Sequence, residues 1–282
     1  MYSIRRTRKP VLLLPETTLS EKVQGSGHGR LESIRREKMS QILHYPNYSK
    51  VVAIIQVRMG STRLPGKALR SIGGYALLAH IVHRLRQVPA LDLVAVATTE
   101  NDEDDCIGEQ CKFLDVPYLR GPEDDVLERY ILASEFCHAG VVVRATGDNP
   151  LIDPGSVQRV VETLQCGGYD FVIEQGLPKG CCGEAFTFEA LNRAREYALS
   201  PEDREHVTLI MKRDPVGFKT CLLAAPAEVF QPQVNLSIDT EEEYQFVRSV
   251  MEAGEPHPLS VTVAEILAGF RSAMGACHLS AV

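Results

Sequence analysis

The chain has 282 residues, 44% hydrophobic and 24% charged, with a formal net charge of -7. That suits one globular α/β domain with appendages. No apolar run approaches the roughly 20 residues of a spanning helix, Val11 to Leu14 is too short for a signal-peptide core, and the chain reads as cytoplasmic. The eight cysteines (106, 111, 137, 166, 181, 182, 221, 277) show neither paired CxxC spacing nor disulfide-scaffold density, so reduced thiols are expected, and the vicinal pair Cys181-Cys182 is weak evidence for a metal.

Charge divides the chain. Residues 1-50 carry a net +6 and the remainder -13. The basic run Arg5-Arg6-Thr7-Arg8-Lys9 and the Gly25 to Gly29 stretch, with no sustained periodicity, read as a flexible extension. Met39 is a candidate start, and Glu16, Glu21 and Glu32 are atypical of a transit peptide. A basic arm for nucleic acid is conceivable, but the acidic body argues against it, and neither nucleic-acid nor membrane partners are expected.

From residue 51 short β-branched runs alternate with helical patterns, the mark of βαβ units around a mostly parallel sheet with helices on both faces. Strands are expected near 51-57, 91-98, 116-119, 141-146 and 169-173. Helices are expected near 75-87, 102-113, 124-138, 154-165, 188-198, 202-212, 240-252 and 261-275. In the first helix Leu78, Ile81, Val82 and Leu85 share a face, leaving Arg84, Arg86 and Gln87 to the other. Ligands of such sheets bind beyond the carboxyl ends of strands. The residues following strands are therefore the informative ones.

The first strand runs into Arg58, Gly60, Ser61, Thr62, Arg63, Gly66 and Lys67. A polyphosphate loop needs glycines for close approach, hydroxyl and amide donors, and fixed cations, and this loop has all three. It is not a Walker A loop: five residues separate Gly60 from Gly66, and Ala68 follows Lys67. Nor is there a G-x-G-x-x-G. Two aspartates also stand out, each with an ordinary alternative. Asp148 sits in a Gly-Asp-Asn-Pro turn after a buried strand, where it could serve only as a turn-former, and Asp239 precedes Glu241 to Glu243, where it could cap a helix.

The string AIIQVRMGSTRLPGKAL also resembles the opening signature of the cytidylyltransferases that activate acidic sugars, most closely their spore-coat polysaccharide branch. GPEDDVLERY (121-130), RATGDNPLIDP (144-154), EAFTFEALNRA (184-194), EHVT (205-208) and NLSIDTEEEY (235-244) match in order. The resemblance runs from about 51 to 253, which would make 51-253 a nucleotidyltransferase domain of Rossmann-like nucleotide-diphospho-sugar transferase fold, between the 1-50 extension and a C-terminal helix and tail at 254-282.

This resemblance implies transfer of CMP from CTP to an acidic sugar of ulosonic type, with pyrophosphate released. It implies Mg2+ held by Asp148 and Asp239, a role suited to a hard cation that takes oxygen ligands. Arg58, Ser61, Thr62, Arg63 and Lys67 would contact the triphosphate, with Arg58, Lys67 and Asp148 catalytic, and Gly60 would admit it. Backbone groups of Ile55, Gln56 and Val57 would read the base. Thr98, Thr99 and the Asp102 to Asp105 cluster would close the nucleotide pocket, with Asp125 and Arg129 nearby, and Glu184 and His206 would lie on the acceptor side. A homodimer is expected, through the 175-215 region. Cys181-Cys182-Gly183, Leu209 and Gly74-Tyr75-Ala76 depart from the family pattern, which leaves a phosphonate or other acceptor open, as well as a nucleotide-binding protein without turnover.

Overall fold

The structure, a computed structural model, describes residues 48–213, 217–253 and 259–270. The chain divides into Met1–Tyr45 and Pro46–Val282. The expectations for the 1-50 extension fall almost wholly outside the described residues.

Strand β1 (Lys50–Gln56) is an interior strand of a seven-stranded sheet, beside its central strand. Its neighbours are β4 (Leu93–Thr99) and β6 (Ala139–Thr146), both parallel to it. With β5 (Tyr118–Gly121), β7 (Phe171–Gln175), β8 (Glu184–Thr187) and β9 (Thr220–Ala224), the order is β5-β4-β1-β6-β8-β7-β9. Only β8 runs antiparallel, to both β6 and β7. A separate hairpin pairs β2 (Ser71–Ile72) with β3 (Tyr75–Ala76). The sheet is thus mostly parallel, as expected, although β8 and β9 were not.

Side chains alternate along β1 because a strand points successive residues to opposite faces. Ala53 and Ile55 join one core with α1 (Leu77–Leu85), α2 (Asp105–Phe113) and α4 (Pro154–Gly167). Val52 and Ile54 join the other, with α3 (Val126–Cys137), α5 (Phe188–Tyr197) and α7 (Leu209–Arg213). Fully burying one such aliphatic side chain is worth about 1.5–3 kcal/mol, so two faces filled this way hold the sheet rigid. Tyr130 adds a polar rivet: its buried hydroxyl, with its pKa pushed up by burial, meets the carbonyls of Ile54 and Ala145, each at 3.0 Å.

A third core joins the hairpin, α8 (Glu241–Glu252) and the helical stretch 263–270, through Ile72, Tyr244, Val247, Val263 and Ile266. Val261, Val263, Ile266 and Leu267 therefore pack into the same core as α8. The expected helix at 202-212 is two short ones, α6 (Pro201–Glu205) and α7, broken at His206 so that Val207 and Thr208 turn inward and are buried. Arg84, expected on the solvent face of α1, is buried and donates to the Val261 carbonyl. The third core covers what the helix pattern alone leaves to water.

Candidate active site

The loop after β1 is shaped from within. The Met59 amide donates to Asp104 Oδ1 at 2.7 Å, the Gly66 amide returns to the Met59 carbonyl at 3.1 Å, and buried Leu64 anchors the loop to the third core. Gly66 has φ +69, a left-handed conformation that glycine adopts without strain. The Ser61 hydroxyl accepts from the Leu64 amide at 3.3 Å, which leaves its own proton to donate outward. Asp104, one of the acids after β4, is thus a brace for this loop rather than a solvated helix start.

Lys67 is where the parts meet. Its ammonium donates to the Ile238 carbonyl and to Asp239 Oδ1, both at 2.9 Å, and lies 3.6 Å from Asp148 Oδ2. Arg63 meets the other oxygen of Asp239 at 3.1 Å. The two aspartates are held together through the backbone, the Ile238 amide donating to the Asp148 carbonyl at 2.8 Å. Thr240, not Asp239, caps α8 in a capping box with Glu243, so the Asp239 carboxylate is left to face the cations. Asp148 takes the Thr146 hydroxyl on one oxygen and turns the other toward Lys67. Burial raises the Asp239 pKa, but the Lys67 hydrogen bond and the charges of Lys67 and Arg63 outweigh it and hold the carboxyl below its ordinary value.

These groups border a cleft of about 310 Å³. Gln56, Val57, Arg58, Gly60, Ser61, Thr62, Arg63, Lys67, Asp148 and Asp239 line it, as do Val126, Arg129, Thr146 and Glu205. Arg58 bridges to Glu123 at 2.9 Å. Two carboxylates within reach of one cation form a hard oxygen donor set, and among the described residues no group of three His, Cys, Asp or Glu surrounds a metal position. Such a pair fits a cation that keeps waters and substrate phosphates as its other ligands, the habit of magnesium.

Other expected residues lie elsewhere. Ile55 is fully buried, its backbone within the β1 ladder opposite Val96 and Ala145. Thr98 is fully buried with an unpartnered hydroxyl. Asp125 caps α3 by accepting from the Glu128 amide and pairs with Arg204 at 2.7 Å. His206 is exposed at the end of α6. Glu184 is buried, accepting from Arg144 at 2.7 Å and Lys212 at 3.0 Å, and Arg144 in turn donates to Gln56 Oε1 at 3.2 Å. Glu184 is thus linked to the cleft-lining Gln56 through Arg144. Cys181 lies in the third core, its thiol pushed well up by burial, and neither it nor Leu209 nor Tyr75 lines the cleft. Glu205 was missed; its signal was the EHVT motif, in which His206 drew attention instead.

Residues 52–259 match the family profile described as cytidylyltransferase. The chain belongs to the cytidylyltransferase family. It is a nucleotidyltransferase, and the phosphate-type loop and paired aspartates lie within the matched span. The spore coat polysaccharide biosynthesis protein SpsF of Bacillus subtilis is 34% identical over 222 residues, covering 77% of this chain and 92% of that protein. A 3-deoxy-manno-octulosonate cytidylyltransferase of Anaeromyxobacter dehalogenans is 30% identical over 53% of this chain and 61% of its own length. A solved cytidylyltransferase from Leptospira borgpetersenii superposes with a TM-score of 0.74 at 28% identity, over 80% of this chain and 95% of that one. Among the described residues of this cytidylyltransferase, no helix is long and apolar enough to cross a membrane.

Proposed function

We propose that this cytidylyltransferase transfers CMP from CTP to an acidic sugar of ulosonic type. The acceptor hydroxyl oxygen attacks the α-phosphorus and releases its proton to solvent, the bond to the bridging oxygen breaks, and pyrophosphate leaves. The observation that carries the reading is the meeting of Lys67, Asp148 and Asp239 at the end of the glycine-, hydroxyl- and cation-rich loop. The acceptor class rests on the names of the two relatives, one acting in spore coat polysaccharide synthesis and one on 3-deoxy-manno-octulosonate.

Asp148 and Asp239 would hold Mg2+, which when bound supplies positive charge where the leaving pyrophosphate gains negative charge. The chain's own part is to bind and orient. Arg58 and Arg63 now pair with Glu123 and Asp239 in exposed or half-exposed bridges, and such pairs are worth only about 0–1 kcal/mol. They exchange readily for phosphate oxygens. Lys67, fixed at 2.9 Å on the Ile238 carbonyl, keeps one positive charge at the reacting end, and Ser61 and Thr62 supply hydroxyl donors. Fixed donors of this kind need no reorganisation as charge develops. The same reading includes a homodimer through the 175–215 region, where Tyr197 and Leu199 are exposed, which light scattering on the eluting protein tests.

The test of the reaction is pyrophosphate release, with CTP and a panel of 3-deoxy ulosonic acids, nonulosonic acids and phosphonates, with Mg2+ and with EDTA. Release that needs CTP, an ulosonic acid and Mg2+ together is the expected result. Binding of CTP with no release on any acceptor contradicts it.

A further inference from the structure

The cleft holds two charged side chains that the phosphate loop leaves unused. Arg129, on α3, is 2% exposed yet lines the cleft. Its Nη1 donates to the carbonyls of Pro122 and Glu123 at 2.6 and 3.3 Å. Nε is buried without a partner, and Nη2 has none among the described residues. Among the described residues no carboxylate forms an ion pair with it, and burial makes the cation less favourable. A buried guanidinium stays charged, and its unmatched donors carry a desolvation cost that a ligand's acceptor relieves.

Glu205 is the second. It is exposed at the end of α6, lines the same cleft, and has no hydrogen bond or ion pair among the described residues. Its position is fixed through its neighbour: Arg204 meets Asp125, the cap of α3, at 2.7 Å. The helices bearing Arg129 and Glu205 are therefore tied together, and Val57 and Val126 supply apolar surface in the same lining.

The charge around Arg129 differs from that around Asp239, although Arg58 of the phosphate loop borders it. The cations that gather on Asp239 are Lys67, Arg63 and Lys179, whereas the charges around Arg129 are Arg58, Asp104 and Glu123. An unpaired carboxylate such as Glu205 repels phosphate and calls for a donor. A cytosine ring offers two adjacent acceptors, O2 and N3, followed by an amino donor, N4. Uracil carries a hydrogen on N3 and an acceptor at O4. A donor wall followed by an acceptor matches the first edge and opposes the second.

The geometry points to Arg129 and Glu205 as the pair that selects the base, Arg129 donating to the O2/N3 side of cytosine and Glu205 accepting from its amino group. The inference rests on the nucleotide occupying this cleft. Titration calorimetry with CTP and with UTP, in Mg2+ and without acceptor, tests it on the full chain, on Glu205→Gln and on Arg129→Gln. The native enzyme favours CTP. In Glu205→Gln the amide turns to donate to O4, and the CTP-to-UTP ratio of affinities falls about tenfold or more. Arg129→Gln weakens CTP about tenfold and UTP less. An unchanged ratio in Glu205→Gln, or an equal loss of both nucleotides in Arg129→Gln, overturns the proposal. If Arg129→Gln loses the native circular dichroism, the exposed Glu205→Gln decides alone. A native enzyme that binds neither nucleotide contradicts occupation of the cleft itself, whereas CTP binding with unmoved ratios contradicts only the base-reading roles.

Discussion

Lys67 touches both aspartates because the peptide hydrogen bond from Ile238 to Asp148 has already brought their segments together. Replacing Asp148 by Asn keeps size and the Thr146 contact while removing one charge. Turnover with CTP is expected to fall at least about a hundredfold, with the melting temperature within a few degrees of native by calorimetry; native turnover in Mg2+ contradicts the assignment. Glu184 tests a structural charge. Burial raises its pKa, but Arg144 and then Lys212 outweigh burial and hold it below the ordinary carboxylate value. A depressed folded value means stability that is full above the unfolded pKa and lost as pH falls through the folded one. Glu184→Gln is therefore expected to cost about 3 kcal/mol near neutrality, with a deficit that shrinks as denaturant melts are repeated at successively lower pH. A deficit independent of pH contradicts the ion-pair account.

At the scale of elements, the β7–β8 connection braces the segment that leads to Asp239. Lys179 pairs through its backbone with Val234 and Leu236, and Gly180, at φ +91, would bring a Cβ to 2.8 Å from the Ser237 amide nitrogen. Gly180→Ala must move either this loop or residues 236–238, and so Asp239. A loss of about 1–3 kcal/mol in stability is expected, with weaker CTP binding alongside it by calorimetry. The parallel strands and their helices were legible because buried strands read as apolar runs such as VVVRAT and amphipathic helices as spaced ones. β8 and β9 were not: EAFT runs directly into α5 at Phe188, and TCLLA is an edge strand with no buried residue. The 58–67 loop stood out by its glycines, hydroxyls and cations together with its place after a buried strand, and those hydroxyls and cations line the cleft. Glu205 did not, because its direction depends on the break at His206, which the helical spacing of 202-212 conceals.

Every residue lining the cleft lies between positions 56 and 239, which sets the expectation for the molecule as a whole. Removing residues 1–38 is expected to leave kcat/KM for CTP unchanged, and a truncated protein that melts like the full chain yet loses activity contradicts it. The central claim is that two distant aspartates hold a divalent ion only together with the nucleotide's phosphates. Titration with Mn2+, followed by the electron paramagnetic resonance signal of the free ion, measures this directly. The account predicts one tight Mn2+ site in the native enzyme with CTP, weakened in Asp148→Asn and in Asp239→Asn and absent without nucleotide. Equal Mn2+ binding by the native enzyme and both variants would contradict it.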